Sequence, residues 1–253
     1  MATSQPAPSI PSEPIQAEPH ALPGTQWLEQ IQSWQVALWL LITWRLALET
    51  ITVLAMRFLP ITVTGGDWLN LVVVTTNPLL QAVVGWQRWD ALWYQQIAEH
   101  GYHAGDGTTH FQPLFPLLMR VVSLPLFGHT VLAGLIVSSI AFYVAMDLLF
   151  RTTRSLCGPL VAIITVLIVA FSPVGFFLLA PYTEGVYLVL VLGSLYYARR
   201  GQFWIAGLLG AAAALTRIPG VFMVVPLVFE CLRQRRERNE WPHRAAHSAR
   251  HRR

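Results

Sequence analysis

The chain has 253 residues, of which 54% are hydrophobic and only 12% charged, with a mean hydropathy of +0.49. Apolar runs fill most of the sequence after residue 34, which excludes a soluble domain and points to an all-α, polytopic membrane protein. The net charge of +4 comes from arginine alone, since there is no lysine, and its excess sits in the C-terminal tail, so the basic balance gives no reason to expect nucleic acid.

Residues 1–33 open the chain with a proline-, serine- and glutamate-rich stretch that has no apolar period and is expected to be disordered. It lacks the basic and apolar regions of a cleaved signal peptide. A first span is predicted over 34–59. It carries Arg45 and Glu49 at i,i+4 spacing, which predicts an ion pair facing protein or a wet cavity. A polar-punctuated stretch follows over 60–112, with Asp67, Asp90, Glu99, Asp106 and His110. Its part 69–84 is apolar but broken by Asn77-Pro78, and is expected to dip into the interface.

The most polar-rich segment between spans is 85–102. Read as a helix over 88–100, it places Trp89, Leu92, Trp93 and Ile97 on one apolar stripe, with Asp90 and Tyr94 one turn apart beside it. Gly101 is its expected stop. Such a helix suits the membrane–water interface, where it either presents Asp90 for chemistry or anchors the chain while Asp90 caps its own N-terminus. Pro113 and Pro116 disfavour a regular helix before Pro116.

Further spans are predicted at 129–150, with Asp147 one turn from Arg151, and at 159–179, 185–197, 203–215 and 221–231. About six spans thus fill 34–232, and a basic tail occupies 233–253. The last two spans are short and form a hairpin with Arg217 at its tip. Ala206, Gly207, Gly210, Ala211 and Ala214 give a close-packing face of small residues. Counting spans from an inner N-terminus puts Arg151, Arg154, Arg199, Arg200 and the tail on one side, which is the cytoplasm by the positive-inside rule. Cys157 and Cys231 fall near that side, match no metal-ligand spacing and are not expected to form a disulfide. Asp90, Glu184, Arg217, Arg88 and His110 gather on the opposite face. A carboxylate there can accept a proton and an arginine can hold a phosphate, but spacing alone does not choose sugar over phosphate or proton chemistry.

Four motifs carry a resemblance. Trp89-Asp90 with Tyr94, Ile97-Ala98 and Gly101-Tyr102 resembles the first-loop motif of the PIG-V mannosyltransferases, the GPI mannosyltransferase II family and its bacterial relatives in the GT-C membrane class. The stretch 111–116 resembles that family's Phe-Phe-Pro-Leu-Tyr-Pro, with Gln112 in place of an aromatic. Tyr182-Thr183-Glu184 resembles its Tyr-Thr-Glu turn, and Leu215-Thr216-Arg217 with Gly220 its Thr-Arg-x-x-Gly tip.

The resemblance implies the N-terminal half of a GT-C-like helical bundle, because family members are longer. It also implies inverting transfer of mannose from a polyprenyl- or dolichyl-phosphate carrier on the extracytoplasmic face. Asp90 and Glu184 are the expected catalytic residues, and Arg88, Tyr94, His110, Tyr182 and Arg217 the expected substrate contacts. No metal ligand and no cofactor are expected, with a divalent metal left open. The expected partners are membrane lipid and the lipid-phosphate sugar, with a partner subunit left open. The expected location is a bacterial plasma membrane, or the endoplasmic reticulum in a eukaryote. The alternatives are a turn or cap for Glu184, a snorkelling tip for Arg217 and a loop histidine for His110. For the whole chain they are a non-catalytic subunit or truncated fragment, and a transporter.

Overall fold

A computed structural model describes residues 26–58 and 77–250. The stretches 1–25 and 59–76, with the expected disorder and Asp67, lie outside the described residues. The chain divides into two units, Met1–Ile31 and Gln32–Arg253. The described part of the first is a 3-10 turn, Gln26–Gln30.

The second unit contains nine helices and no strand among the described residues. They are α1 (Ser33–Phe58), α2 (Pro78–Val84), α3 (Asp90–His100), α4 (Leu114–Ser123), α5 (Thr130–Cys157), α6 (Pro159–Phe171), α7 (Thr183–Arg199), α8 (Phe203–Ala214) and α9 (Val224–Arg250). Helices α1 and α5, of 26 and 28 residues, are long and apolar enough to cross a bilayer, whereas α6 and α8 are shorter apolar helices. Only 17% of the most apolar stretch of α1 is buried, and Trp39, Leu46, Ile51 and Phe58 are exposed. An apolar surface of that extent fits lipid rather than water.

Helix α5 is the centre of the bundle and packs against α1, α4, α6 and α7. Arg151 near its C-terminus donates to Ser33 at the start of α1 (3.1 Å), so the two helices run antiparallel. Gly185 of α7 lies beside Ser138 and Ala141 of α5, and Gly193 beside Leu148, so α7 runs with α5. Helix α8 returns against α7, fixed by a Ser194 hydroxyl bonded to the Ala206 carbonyl (2.8 Å). Gln234 of α9 then reaches the Ala198 carbonyl at the end of α7 (2.9 Å). Arg151, Arg199 and Arg233 therefore share one end of the bundle. The start of α7 and the turn after α8 occupy the other, where Glu99 of α3 meets Thr130 of α5. The expected pairs Arg45–Glu49 (3.3 Å) and Asp147–Arg151 (2.8 Å) are both present.

Several expectations are corrected. The span predicted over 159–179 stops as a helix at Phe171, because Pro173 forces Ser172 into extended backbone, and the chain continues as a 3-10 turn, Gly175–Leu178. Helix α4 starts at Leu114, ahead of Pro116, because a first-turn N–H has no intrahelical partner to lose. The stretch predicted over 221–231 opens with a 3-10 turn, Ile218–Met223, and continues as α9 to Arg250. Gly207 faces open space, while at Gly220 an added Cβ would meet the Ala213 carbonyl carbon at 2.3 Å.

Candidate active site

Helix α3 begins abruptly. Trp89 takes φ 47°, a left-handed value that costs a non-glycine residue roughly 1–3 kcal/mol and prevents the helix from extending backwards. Gly101, at φ 85°, ends it as expected. The single apolar stripe expected of this helix is not what forms. Ala91, Leu92, Tyr94, Gln95, Ile97 and Ala98 are all buried, and Trp89 of the expected stripe is 72% exposed. Asp90 is the first residue of the helix and the N-cap position falls to Trp89, so Asp90 is not the cap residue. Its negative charge suits the positive end of the helix, and its carboxylate is left exposed.

The four motif segments meet around Tyr94. Its ring packs edge-on against Phe111 (5.3 Å) and Phe115 (5.2 Å), and Trp93 stacks on Phe111 (5.3 Å). The N–H of Leu114, left over at the start of α4, donates to the Leu215 carbonyl (3.0 Å), joining the second motif to the fourth. The Tyr182 hydroxyl donates to the Arg88 carbonyl (3.0 Å), joining the third to the first. Arg217 is ion-paired with Glu184 and reaches the Thr183 hydroxyl (3.4 Å), joining the fourth to the third.

The electrostatics follow from this closure. Burial pushes the Tyr94 phenol up to about 12, opposed by a hydrogen bond with Thr183 and assisted by the charges of Asp90 and Glu184, while Arg217 pulls the other way. Burial also raises Tyr182, again with Asp90 and Glu184 adding to the rise. Both tyrosines are therefore neutral hydroxyls at physiological pH. Beside Glu184 and Arg217 opens a cleft of about 510 Å³. Its walls are Ile168, Val169, Val174, Phe177, Leu178 and Leu188, so an ion pair stands at the edge of an apolar slot.

The structure thus brings Asp90, Tyr94, Tyr182, Glu184 and Arg217 together. Arg217 does not snorkel away from the bundle, since Glu184 holds it. Arg88 joins through its carbonyl only, as its guanidinium bonds the Gln87 carbonyl (2.8 Å). His110 is not in the group, for its Nδ1 lies 3.0 Å from the Gly107 carbonyl on an exposed turn. Thr183 belongs to the site and was not among the expected contacts, although it lies inside the Tyr-Thr-Glu turn. The cleft walls were missed because an unbroken apolar run gave no reason to separate a lining face from a lipid face. Among the described residues no three His, Cys, Asp or Glu side chains gather where they could hold a metal.

Fold and site together define a helical membrane protein with a carboxylate, two neutral tyrosines and an arginine–glutamate pair at one end of the bundle, beside an apolar slot. A model of the mannosyltransferase (PIG-V) family matches residues 31–237, and the chain belongs to that family. GPI mannosyltransferase 2 of Cryptococcus neoformans var. neoformans serotype D (strain JEC21) is 29% identical over 185 residues, covering 68% of this chain and 43% of the relative. GPI alpha-1,6-mannosyltransferase 2 of Mus musculus is 32% identical over 150 residues, covering 54% of this chain and 30% of the relative. The Yarrowia lipolytica GPI mannosyltransferase 2 is 29% identical over 144 residues, covering 56% and 39%. The chain thus spans less than half the length of these relatives. No solved structure matches.

Proposed function

We propose that the chain carries the catalytic half of a mannosyltransferase site that moves mannose from a polyprenyl- or dolichyl-phosphate carrier to an acceptor hydroxyl on the extracytoplasmic face. The observation that carries this is the unpaired, exposed carboxylate of Asp90, held with Arg217 around the neutral hydroxyls of Tyr94 and Tyr182. The acceptor oxygen attacks the anomeric carbon as the carbon–oxygen bond to phosphate breaks, and the acceptor's proton passes to Asp90. Arg217 stabilises the charge gathering on the departing phosphate, and Glu184 keeps its guanidinium aimed at the mouth of the slot. The slot takes the first isoprene units of the carrier. Tyr94 and Tyr182 donate without becoming charged, which keeps Asp90 the best proton acceptor nearby.

The extracytoplasmic side rests on the arginine-rich opposite end of the bundle. Integral membrane location rests on the apolar helices. The relatives matched are fungal and mammalian, so none of them favours the bacterial plasma membrane. A second reading, a non-catalytic subunit or fragment, has one observation in its favour: the matched relatives extend well beyond the stretch they share with this chain. Membranes containing the chain and radiolabelled polyprenyl-phosphate mannose separate the two. Label transferred to acceptor, and lost in Arg217→Met, supports the enzyme; no transfer by the unmodified chain supports the second reading.

A further inference from the structure

Arg45 and Glu49 sit in the middle of α1, an apolar helix in which an ionisable residue costs roughly 2.5–3.5 kcal/mol to insert. A pair that served only to neutralise itself would need no other partner, yet Arg45 has three further acceptors and Glu49 a further donor. One terminal nitrogen of Arg45 donates to the Leu179 carbonyl (2.8 Å), to the Ser139 hydroxyl (2.5 Å) and to the Leu135 carbonyl (3.2 Å). The other donates to Glu49 (3.3 Å). Glu49 in turn accepts the indole N–H of Trp86 on both carboxylate oxygens (3.2 and 3.1 Å), and the guanidinium lies over the same indole, 5.8 Å from its centroid.

These partners are not scattered. Trp86 lies four residues before Asp90. Leu179 is fully buried in the irregular turn five residues before Glu184, where a carbonyl outside regular structure must find a donor. The Tyr182 hydroxyl, bonded to the Arg88 carbonyl, joins the same two segments at their far ends. The bonds form a closed circuit: Arg45 to Leu179, along the chain to Tyr182, across to Arg88, back to Trp86, and through Glu49 to Arg45. One side of the circuit carries Asp90, and the other carries Thr183 and Glu184 with Arg217.

We propose that Arg45 and Glu49 form a positioning clamp that fixes the distance between the Asp90 segment and the Glu184 segment from a helix that contributes nothing to the site itself. The guanidinium is needed because it alone spans both arms; an ammonium pairs with Glu49 but does not hold the Leu179 carbonyl in the same pose. The clamp acts on geometry and not on substrate binding, so its loss lowers kcat and leaves KM for the lipid-linked sugar. This inference rests on the proposed transferase reading for its kinetic consequence only.

The test uses three substitutions in the full chain. Arg45→Lys breaks the Leu179 arm. Trp86→Phe keeps a ring but removes the N–H of the Asp90 arm. Ser139→Ala removes an Arg45 partner that belongs to neither segment. Spin labels at Trp89→Cys and Val174→Cys, both exposed positions flanking the two arms, with Cys157 and Cys231 changed to Ser, report the spacing by pulsed electron resonance, while kcat and KM are read in unlabelled chains that keep Trp89 and Val174, because Val174 lines the slot. The expected result is a narrow distance distribution in the parent and in Ser139→Ala, broadened by Arg45→Lys and by Trp86→Phe. Because a misplacement of about 1 Å costs on the order of 100-fold in rate, kcat should fall roughly 10- to 100-fold in those two, with KM within about twofold. The double variant should be no more than about threefold worse than the worse single one, since either break opens the same circuit. If the parent transfers mannose, an unchanged distribution or an unchanged kcat in Arg45→Lys overturns the clamp and leaves the transferase reading standing. If the parent transfers nothing, the transferase reading fails, and the distance measurement alone decides: broadening upholds the clamp, and no broadening overturns it.

Discussion

Replacing Gly220 by alanine is a severe perturbation for one carbon atom. The added Cβ would lie 2.3 Å from both the Ala213 carbonyl carbon and the Ala214 nitrogen, and 2.5 Å from the Ala213 oxygen, whereas ordinary contact starts at 3.4 Å. All three are backbone atoms of α8, so no side chain can swing aside. Relief requires the 3-10 turn Ile218–Met223 to move off α8 by about 1 Å, at a cost of about 1–3 kcal/mol for overpacking. Arg217 is the residue directly before that turn and its carbonyl accepts the Gly220 N–H (2.8 Å), so it moves with it. A shift of about 1 Å at a charge-stabilising group is worth roughly 100-fold in rate. Gly207→Ala is the matched control, because nothing lies within 4 Å of its added Cβ and α8 gains up to about 1 kcal/mol of helix propensity. The assay is mannosyl transfer in membranes, normalised to folded protein by size-exclusion profile in detergent. Gly220→Ala at the rate of Gly207→Ala, with equal folded yield, would refute the claim that this contact sets the position of Arg217.

Tyr182→Phe removes one hydrogen bond between the segments, worth about 0.5–1.5 kcal/mol, so transfer should drop roughly 2- to 13-fold; a loss as large as that of a general base would mean that its hydroxyl takes part in the chemistry. Tyr94 stays protonated in the folded chain up to about pH 12 but ionises near 10.0 when unfolded. Its contribution is therefore complete below pH 10 and is lost as pH rises from 10 through 12, by roughly 3 kcal/mol, and thermal unfolding in detergent should lose this slope in Tyr94→Phe. Trp89→Cys should react with a membrane-impermeant maleimide in intact cells, while the native, exposed Cys157 should react only after permeabilisation; the opposite pattern would invert the membrane orientation.

The features legible in the sequence are those set by local rules. Gly101 ends α3 because the backbone there needs a left-handed residue, and Arg45–Glu49 and Asp147–Arg151 pair because i,i+4 neighbours share a face. The segments that build the site could be named from their motifs, but their joints could not be read. That Tyr94 is a core residue ringed by Phe111 and Phe115, and that Leu114 bonds Leu215, depend on contacts between residues up to about a hundred positions apart, which no periodicity encodes. Trp89 illustrates the reverse case. Its spacing assigns it to an apolar stripe, yet a left-handed backbone turns it out of the helix and leaves Asp90 as the first helical residue. The clamp on Leu179 was hidden for the same reason, since an arginine in a span announces a partner but not which carbonyl it will find.

Asp90 carries the central claim, and Asp90→Asn tests it most directly. The substitution keeps side-chain shape, and Asp90 is not the cap residue, so folded yield should not change. Transfer from radiolabelled polyprenyl-phosphate mannose is then compared in membranes with equal amounts of each chain. A general base predicts a fall of about 10²- to 10⁴-fold in Asp90→Asn. Transfer at a near-equal rate in the two chains would contradict the assignment and leave the exposed carboxylate without a catalytic part.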